Sequence, residues 1–193
     1  MAIIDFRTPA AGFDQPLELW LACHDRVRRM VSLLERLHEH LQQHGANEAA
    51  RVTATSICRY FDEAAPRHHE DEEVDLFPLL RRLLPARAPA EEATVVAALA
   101  QLENEHTELG ELWQQVRAVL KAIEAGQATP LDAGLVQRFA NGYRRHCEIE
   151  DTVIASALQR CLGEIDLDAV GQAMAERRGV DWTHLHSSRR SGS

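Results

Sequence analysis

The sequence predicts an all-α protein: an antiparallel up-and-down four-helix bundle with a short C-terminal helix and a flexible tail. Glycine and proline are sparse, 10 and 7 among 193 residues, and they cluster where helices would end. Between these breaks lie four long segments in which apolar residues recur at alternating steps of four and three. That spacing is typical of helices packed lengthwise against one another.

The breaks between the four segments define the order of the elements. In the first break, at 44–47, Gly45 suits a helix C-cap and Asn47 the following N-cap. Two further breaks, at 85–89 and 126–130, combine proline with small residues. A last helix candidate runs from Leu167 to Arg178, before a tail rich in serine and arginine. We therefore predict an N-terminal lead-in at 1–15, the bundle at 16–163, and the short helix with its flexible tail at 164–193.

The composition excludes several classes of function. A net charge of -9 disfavours a nucleic-acid surface or an anionic-membrane anchor. No apolar run approaches the roughly 20 residues that a transmembrane helix needs. The four cysteines are scattered without a CxxC pair, which indicates reduced thiols and a cytoplasmic location.

Each segment contains one inward-facing seam. In the third segment the seam is regular, and in the second it is less so. The predicted seams run Trp20, His24, Val27, Val31, Leu34, His38, Leu41; Phe61, Ala65, His69, Glu73, Leu76, Leu80; Leu99, Leu102, His106, Leu109, Trp113, Val116, Leu120; and Phe139, Tyr143, His146, Glu150, Val153, Ala157.

Histidines and glutamates interrupt these apolar seams on all four helices. A buried carboxylate without a partner costs several kcal/mol, so it is normally protonated, paired or bound to a cation. One buried histidine would be unremarkable, but a shared cation satisfies the whole set together. The interrupting residues are His24, His69, Glu73, His106, His146 and Glu150.

The spacing of these residues favours a metal site. His69–Glu73 and His146–Glu150 are i, i+4 pairs, and each pair lies on one helix face about 6 Å apart. Imidazole with carboxylate suits iron, manganese or zinc, whereas calcium and magnesium prefer oxygen ligands. A single zinc needs four ligands, so six favour a pair of metals.

The order of these residues resembles that of the hemerythrin-like HHE cation-binding domain family. The pattern spans four helices, from roughly residue 16 to 161, and its most recognisable stretch is the His-His-Glu-Asp-Glu-Glu run at 68–73. The resemblance implies a non-haem centre of two iron ions inside the bundle, with manganese or zinc as alternatives. By this analogy His24 and His69 serve one iron, His106 and His146 the other, and Glu73 and Glu150 bridge them.

The pattern departs from oxygen-carrying hemerythrins at two positions. Those proteins have a second histidine one turn after the first on the third helix, where this chain has Gly110. They also end on an aspartate five residues after the last histidine, whereas Glu150 follows His146 by four. Either a nearby acid replaces the histidine or the position stays open. Glu70 ranks first as the replacement, because some relatives have a ligand glutamate at that place, and Glu103 is second.

The other acidic and histidine residues beside the motif have simpler interpretations. His68 points about 100° away from His69 on a helix, which places it at the surface or behind the ligands. Asp71, Glu72 and Asp75 are expected on a solvated helix face.

Three functions remain open to the sequence. The first is a di-iron protein that binds or reacts with dioxygen, peroxide or nitric oxide, in sensing, storage or peroxide handling, so that enzymatic activity stays undecided. The second is ferritin-like iron oxidation, because Glu35-x-x-His38 and Glu103-x-x-His106 match the Glu-x-x-His element of those bundles. The third is a metal-free helical interaction module.

Overall fold

A computed structural model describes residues 11–182, and the regular secondary structure of these residues is entirely helical. The predicted all-helical fold is therefore confirmed for this part of the chain. The predicted flexible tail falls mostly on 183–193, outside the described residues. The helices are α1 (Pro16–His44), α2 (Glu48–Arg59), α3 (Ala65–Glu70), α4 (Phe77–Arg87), α5 (Glu92–Glu124), α6 (Ala133–Ile149), α7 (Ala155–Cys161) and α8 (Glu164–Arg177).

Three π-helical turns join some of these helices into longer ones. Turns π1 (Tyr60–Ala64) and π2 (Asp71–Leu76) link α2, α3 and α4 into one continuous helix over 48–87. Turn π3 (Glu150–Ile154) links α6 and α7 into a helix over 133–161. In each turn a backbone N–H donates five residues back, as from Ala65 to Tyr60 and from Phe77 to Glu72.

The helix ends follow from local sequence. Gly45 has a positive φ of 63° after α1, a conformation that costs glycine little. Asn47 caps α2 by accepting the N–H of Ala50 at 3.0 Å, and Asp132 caps α6 by accepting the N–H of Leu135 at 2.7 Å. The predicted cap residues at 45 and 47 are confirmed.

Four long helices enclose a common core. Helix α1 packs against α2 and α6, and α5 packs against the same two helices. Contacts between α1 and the 133–161 helix run in opposite residue order: Glu35 pairs with Arg144, and Arg28 with Asp151. The 48–87 helix meets α5 in the same manner.

The core is divided into two apolar clusters. Along α5, Val95, Leu99 and Leu102 belong to one cluster, whereas the buried residues from Leu109 onward belong to the other. The same change of cluster occurs on the other three long helices. Polar residues occupy the layer between the clusters, at the middle of the bundle.

Helix α8 packs closely against the end of the bundle at which α1 begins. A Cβ added at Gly171 would clash with the backbone oxygen of Phe13 and lie 3.0 Å from the Trp182 ring. The other apolar contacts of α8 come from Val170 and Met174, which join the cluster that contains Trp20. Glycine at 171 is therefore required by close packing.

Two mid-helix glycines give a matched test of this packing. Gly171→Ala should lower the free energy of unfolding by about 1 to 3 kcal/mol, because the methyl group displaces backbone. Gly110→Ala should raise it by about 1 kcal/mol, because no atom lies within 4 Å of the added Cβ and alanine favours the helix. Urea unfolding of both variants measures the two changes. Equal effects would contradict the close approach at Gly171.

Candidate metal centre

The layer between the apolar clusters contains two groups of side chains that could each hold a cation. Within each group, one ligand atom per residue lies within 4.8 Å of the others. We name the groups site A and site B, and they share Glu72. Site A consists of His24, His68, Glu72 and Glu150, and site B of His69, Glu72, His106 and His146.

Each long helix contributes to these sites. His24 comes from α1, and His106 from α5. His146 lies on the last turn of α6, one turn before Glu150 in π3. The 48–87 helix contributes three residues, listed here: His68 and His69 from α3 and Glu72 from π2.

Two carboxylates lie between the sites. Glu72 Oε1 lies 3.0 Å from His68 Nε2, and Glu72 Oε2 lies 3.3 Å from His106 Nε2. Glu150 Oε2 lies 3.3 Å from His24 Nε2, and Glu150 Oε1 lies 3.3 Å from His146 Nε2. Each carboxylate therefore presents one oxygen to site A and one to site B.

Several of these atoms are buried without a hydrogen-bond partner among the described residues. Glu72 and Glu150 are 0% exposed. Glu72 Oε2, both oxygens of Glu150, His24 Nε2 and His68 Nδ1 accept or donate no hydrogen bond there. Unsatisfied buried polar atoms are rare and costly, and a cation bound among them would satisfy most of them at once. The residues present thus fit a metal pair.

A second layer of carboxylates holds three of the histidines. Nδ1 of His24 donates to Asp151 at 2.6 Å, Nδ1 of His106 to Glu73 at 2.6 Å, and Nδ1 of His146 to Glu105 at 3.2 Å. A histidine that donates from Nδ1 keeps its Nε2 lone pair for a metal. Such carboxylate–histidine pairs orient metal ligands and raise their basicity.

Burial and charge shift the pKa values in the cluster. Burial lowers the pKa of His68 to about 3 and, with the charge of His106, lowers that of His69. Burial and the neighbouring Glu72 carboxylate raise the pKa of Glu150 to about 7. Burial opposes protonation of His146, but Glu150 and Glu105 outweigh it and raise the pKa to about 10. Without a cation, the cluster thus keeps protons near its carboxylates.

The structure brings four of the residues proposed from sequence into the two sites directly: His24, His106, His146 and Glu150. It also brings in His69, but beside His106, where the two rings stack with centroids 4.0 Å apart. The family resemblance implied that His69 and His24 serve the same iron. The partner of His24 in site A is instead His68.

Glu73 and Glu70 lie outside both sites, which differs from the sequence expectation. The Glu73 side chain is 46% exposed and reaches only Nδ1 of His106. Glu70 is 57% exposed and faces Arg177. The second candidate replacement, Glu103, forms a fork with Arg81 at 2.7 and 2.8 Å. The physical reason is the register of the 48–87 helix, which turns Glu72 inward and its neighbour outward.

His68 and Glu72 are the residues that sequence reasoning missed. The buried positions of this helix run Phe61, Ala65, His68, Glu72, Leu76, Leu80. The run at 68–73 contains two overlapping His-x-x-x-Glu pairs, and the pair 68/72 was the available signal. Asp71 is buried as well, so the expectation of a solvated face fails for it and for Glu72.

Gly110 does not face the cluster. It is exposed, and a Cβ added there meets no atom within 4 Å. His69, from the neighbouring helix, is the third imidazole of site B.

A family model for the hemerythrin HHE cation-binding domain matches residues 15–158. An uncharacterized protein of Haemophilus influenzae is 32% identical over 170 residues, which cover 88% of this chain and 94% of that protein. The chain belongs to the hemerythrin HHE cation-binding domain family. This membership and the His/Glu cluster together support metal binding. Within residues 11–182, no helix has the length and apolar character needed to cross a membrane.

Metal addition should stabilise the fold. A cation that binds the folded chain alone stabilises it by about 2.7 kcal/mol at a hundred times its dissociation constant. We expect the melting temperature of chelator-treated protein to rise on addition of ferrous iron under argon. A His40→Ala/His44→Ala variant removes an exposed histidine pair with rings 4.7 Å apart and should keep the full rise. Loss of the rise in this control would assign it to surface binding.

Proposed function

We propose that this protein binds two iron ions, one in site A and one in site B, bridged by Glu72 and Glu150. The observation that carries the proposal is the orientation of these two carboxylates, each with one oxygen toward each site. His24 and His68 complete site A, and His69, His106 and His146 complete site B. Residue pairs between neighbouring helices run in opposite directions along the chain, which supports the antiparallel up-and-down bundle around the sites. The domain limits 16–163 remain a prediction.

The two sites have unequal numbers of ligands. With both carboxylates shared, site A has four donors, whereas site B has five because His69 joins it. Iron commonly accepts six donors, so site A leaves more positions for a small ligand. We propose that dioxygen, peroxide or nitric oxide binds on the side of site A.

The surrounding residues control what happens there. A bound ferrous pair supplies electrons to a small oxygen species. The indole N–H of Trp20 donates a hydrogen bond to Glu72 Oε1, with 2.6 Å between the nitrogen and the oxygen. The Trp20 ring packs edge-on against the His24 ring, with the ring centroids 4.6 Å apart. Partial burial opposes ionisation of the Asp151 carboxyl behind His24, but hydrogen bonds from His24 and Arg28 outweigh it and lower its pKa. The two apolar clusters exclude bulk water on both sides.

The alternative of ferritin-like iron oxidation is disfavoured because three of its four Glu-x-x-His residues have other partners, while the fourth, His106, lies in site B. Glu35 forks onto Arg144, and His38 Nδ1 lies 2.8 Å from the Leu131 oxygen. Glu103 is paired with Arg81. A metal-free interaction module would leave Glu72 Oε2 and both oxygens of Glu150 buried without a hydrogen-bond partner among the described residues. Manganese or zinc fits the same donors as iron. The cytoplasmic location is a separate matter and stays a prediction from the cysteine pattern.

Metal content and an absorption spectrum test the di-iron proposal. Untagged protein from iron-supplemented medium should contain about two irons per chain, because the donors form a pair of sites and a single site needs fewer. In air, this protein should also show the near-ultraviolet absorption bands of an oxidised iron pair. Mixing the reduced protein with dioxygen, peroxide or nitric oxide should change these bands for the ligand it uses. A single zinc, or intact protein without metal, would refute the proposal.

Adjacent glutamates separate the bridging role from its alternatives. Glu72→Gln should reduce bound iron well below wild type, because it removes a charged donor from both sites. Glu73→Gln, the matched control, should keep near-normal stoichiometry and bind about tenfold more weakly at most, because Glu73 only orients His106. Elemental analysis after desalting measures both. The reverse order of losses would restore the 69/73 pairing.

A further inference from the structure

Helix α8 contacts the π turn that contains Glu72 through two arginines at its C-terminal end. Arg178 binds both oxygens of Asp71, at 2.9 and 2.6 Å, and Arg177 binds the same carboxylate. Arg177 also reaches Asp75 at 2.6 Å and Glu70 at 3.4 Å. We call these two arginines with Asp71 the α8 clamp. Its two arginines lie beyond residues 15–158, which match the family model, whereas Asp71 lies within them.

The α8 clamp is built for orientation. The Asp71 side chain is 2% exposed, and those of Arg177 and Arg178 are 15% and 21% exposed. A two-pronged arginine–carboxylate contact fixes direction as well as charge, which a lysine point charge does not. Burial raises the pKa of Asp71, and the two arginines oppose that shift.

The held residue directly precedes Glu72. Asp71 and Glu72 are the first two residues of π2, and successive residues of a helix point in directions about 100° apart. Asp71 faces α8 while Glu72 faces the metal centre. π turns are rare and often occur at functional sites, and α8 contacts this one from outside the four long helices.

Helix α8 also supports Glu72 from a second direction. Its residues Val170 and Met174 belong to the apolar cluster of Trp20, whose indole N–H binds Glu72 Oε1. The clamp thus holds the backbone of the turn, and the apolar contacts hold the hydrogen-bond donor of the carboxylate.

We propose that Arg177 and Arg178 are positioning residues of the metal centre: by fixing π2 they set the place of Glu72 and so the retention of bound metal. This inference rests on the proposed function, since Glu72 is a bridging ligand only there. Helix α8 then contributes to metal retention through the position of Glu72.

The experiment compares metal loss in the full-length protein. Arg177→Gln/Arg178→Gln and Arg178→Lys remove the fork in two ways, the second while keeping the charge. Arg87→Gln is the control, because Arg87 pairs with Asp166 at 3.0 Å near the start of α8 and touches nothing in π2. Iron-loaded proteins are mixed with a ferrous chelator under reducing conditions, and the rate of transfer is followed by absorbance. Manganese-loaded samples report the coupling of the two ions by electron paramagnetic resonance.

The double variant should release iron about tenfold faster than wild type, the usual effect of removing a residue that orients a ligand, with altered manganese coupling. Arg178→Lys should fall between the two, and Arg87→Gln should match wild type. Release at the wild-type rate from the double variant, or equal acceleration in Arg87→Gln, would overturn the inference. If the double variant fails to fold, Arg178→Lys decides by the same criterion.

The wild-type arm separates this inference from the proposed function. Wild-type protein that binds no metal pair refutes both. Wild-type protein with two irons and unchanged release from the clamp variants refutes the role of α8 alone.

Discussion

Two fully buried carboxyl groups in the middle of a helical bundle are the constraint on which the rest of the structure depends. Glu72 and Glu150 are fully buried, at a depth where an unpaired charge costs several kcal/mol. Five imidazoles surround them, and the raised pKa values of His106 and His146 make these two the source of positive charge when no cation is bound. The proposed metal pair would bind both oxygens of each carboxylate and so offset the cost of burying them.

Charge alternates outward from this centre. Behind the histidines lie the carboxylates Asp151 and Glu105, and behind these lie Arg28 and Arg145. Hydrogen bonds from His146, Gln101 and Arg145 lower the pKa of Glu105 to about 2, in spite of partial burial. The arginines therefore hold the carboxylates by ion pairs, and the carboxylates orient the histidines by hydrogen bonds. These contacts hold the imidazoles in position without a metal.

The π turns explain how a regular bundle presents these groups. Both central carboxylates lie in such turns, Glu72 in π2 and Glu150 in π3. A π turn adds a residue to the helical repeat and so shifts the face that later residues present. Proline follows two of the turns, at Pro66 and Pro78, where a missing N–H suits the altered hydrogen-bond pattern.

The sequence by itself determined the helical fold, the polar layer at one depth, and the ligand types, because apolar spacing and buried charge are local properties of the chain. It also identified His24, His106, His146 and Glu150 as members of that layer. It chose the pair 69/73 over the overlapping pair 68/72 in the same run of six residues, whereas the structure brings His68, His69 and Glu72 into the two sites. Only the packing of the 48–87 helix against α1, α5 and α8 decided that, because the inward face depends on helix register and on contacts distant in sequence. For the same reason the resemblance left open whether an acid replaces the histidine absent at Gly110 or the position stays open, and it grouped His69 with His24, whereas the structure places His69 beside His106 and His146.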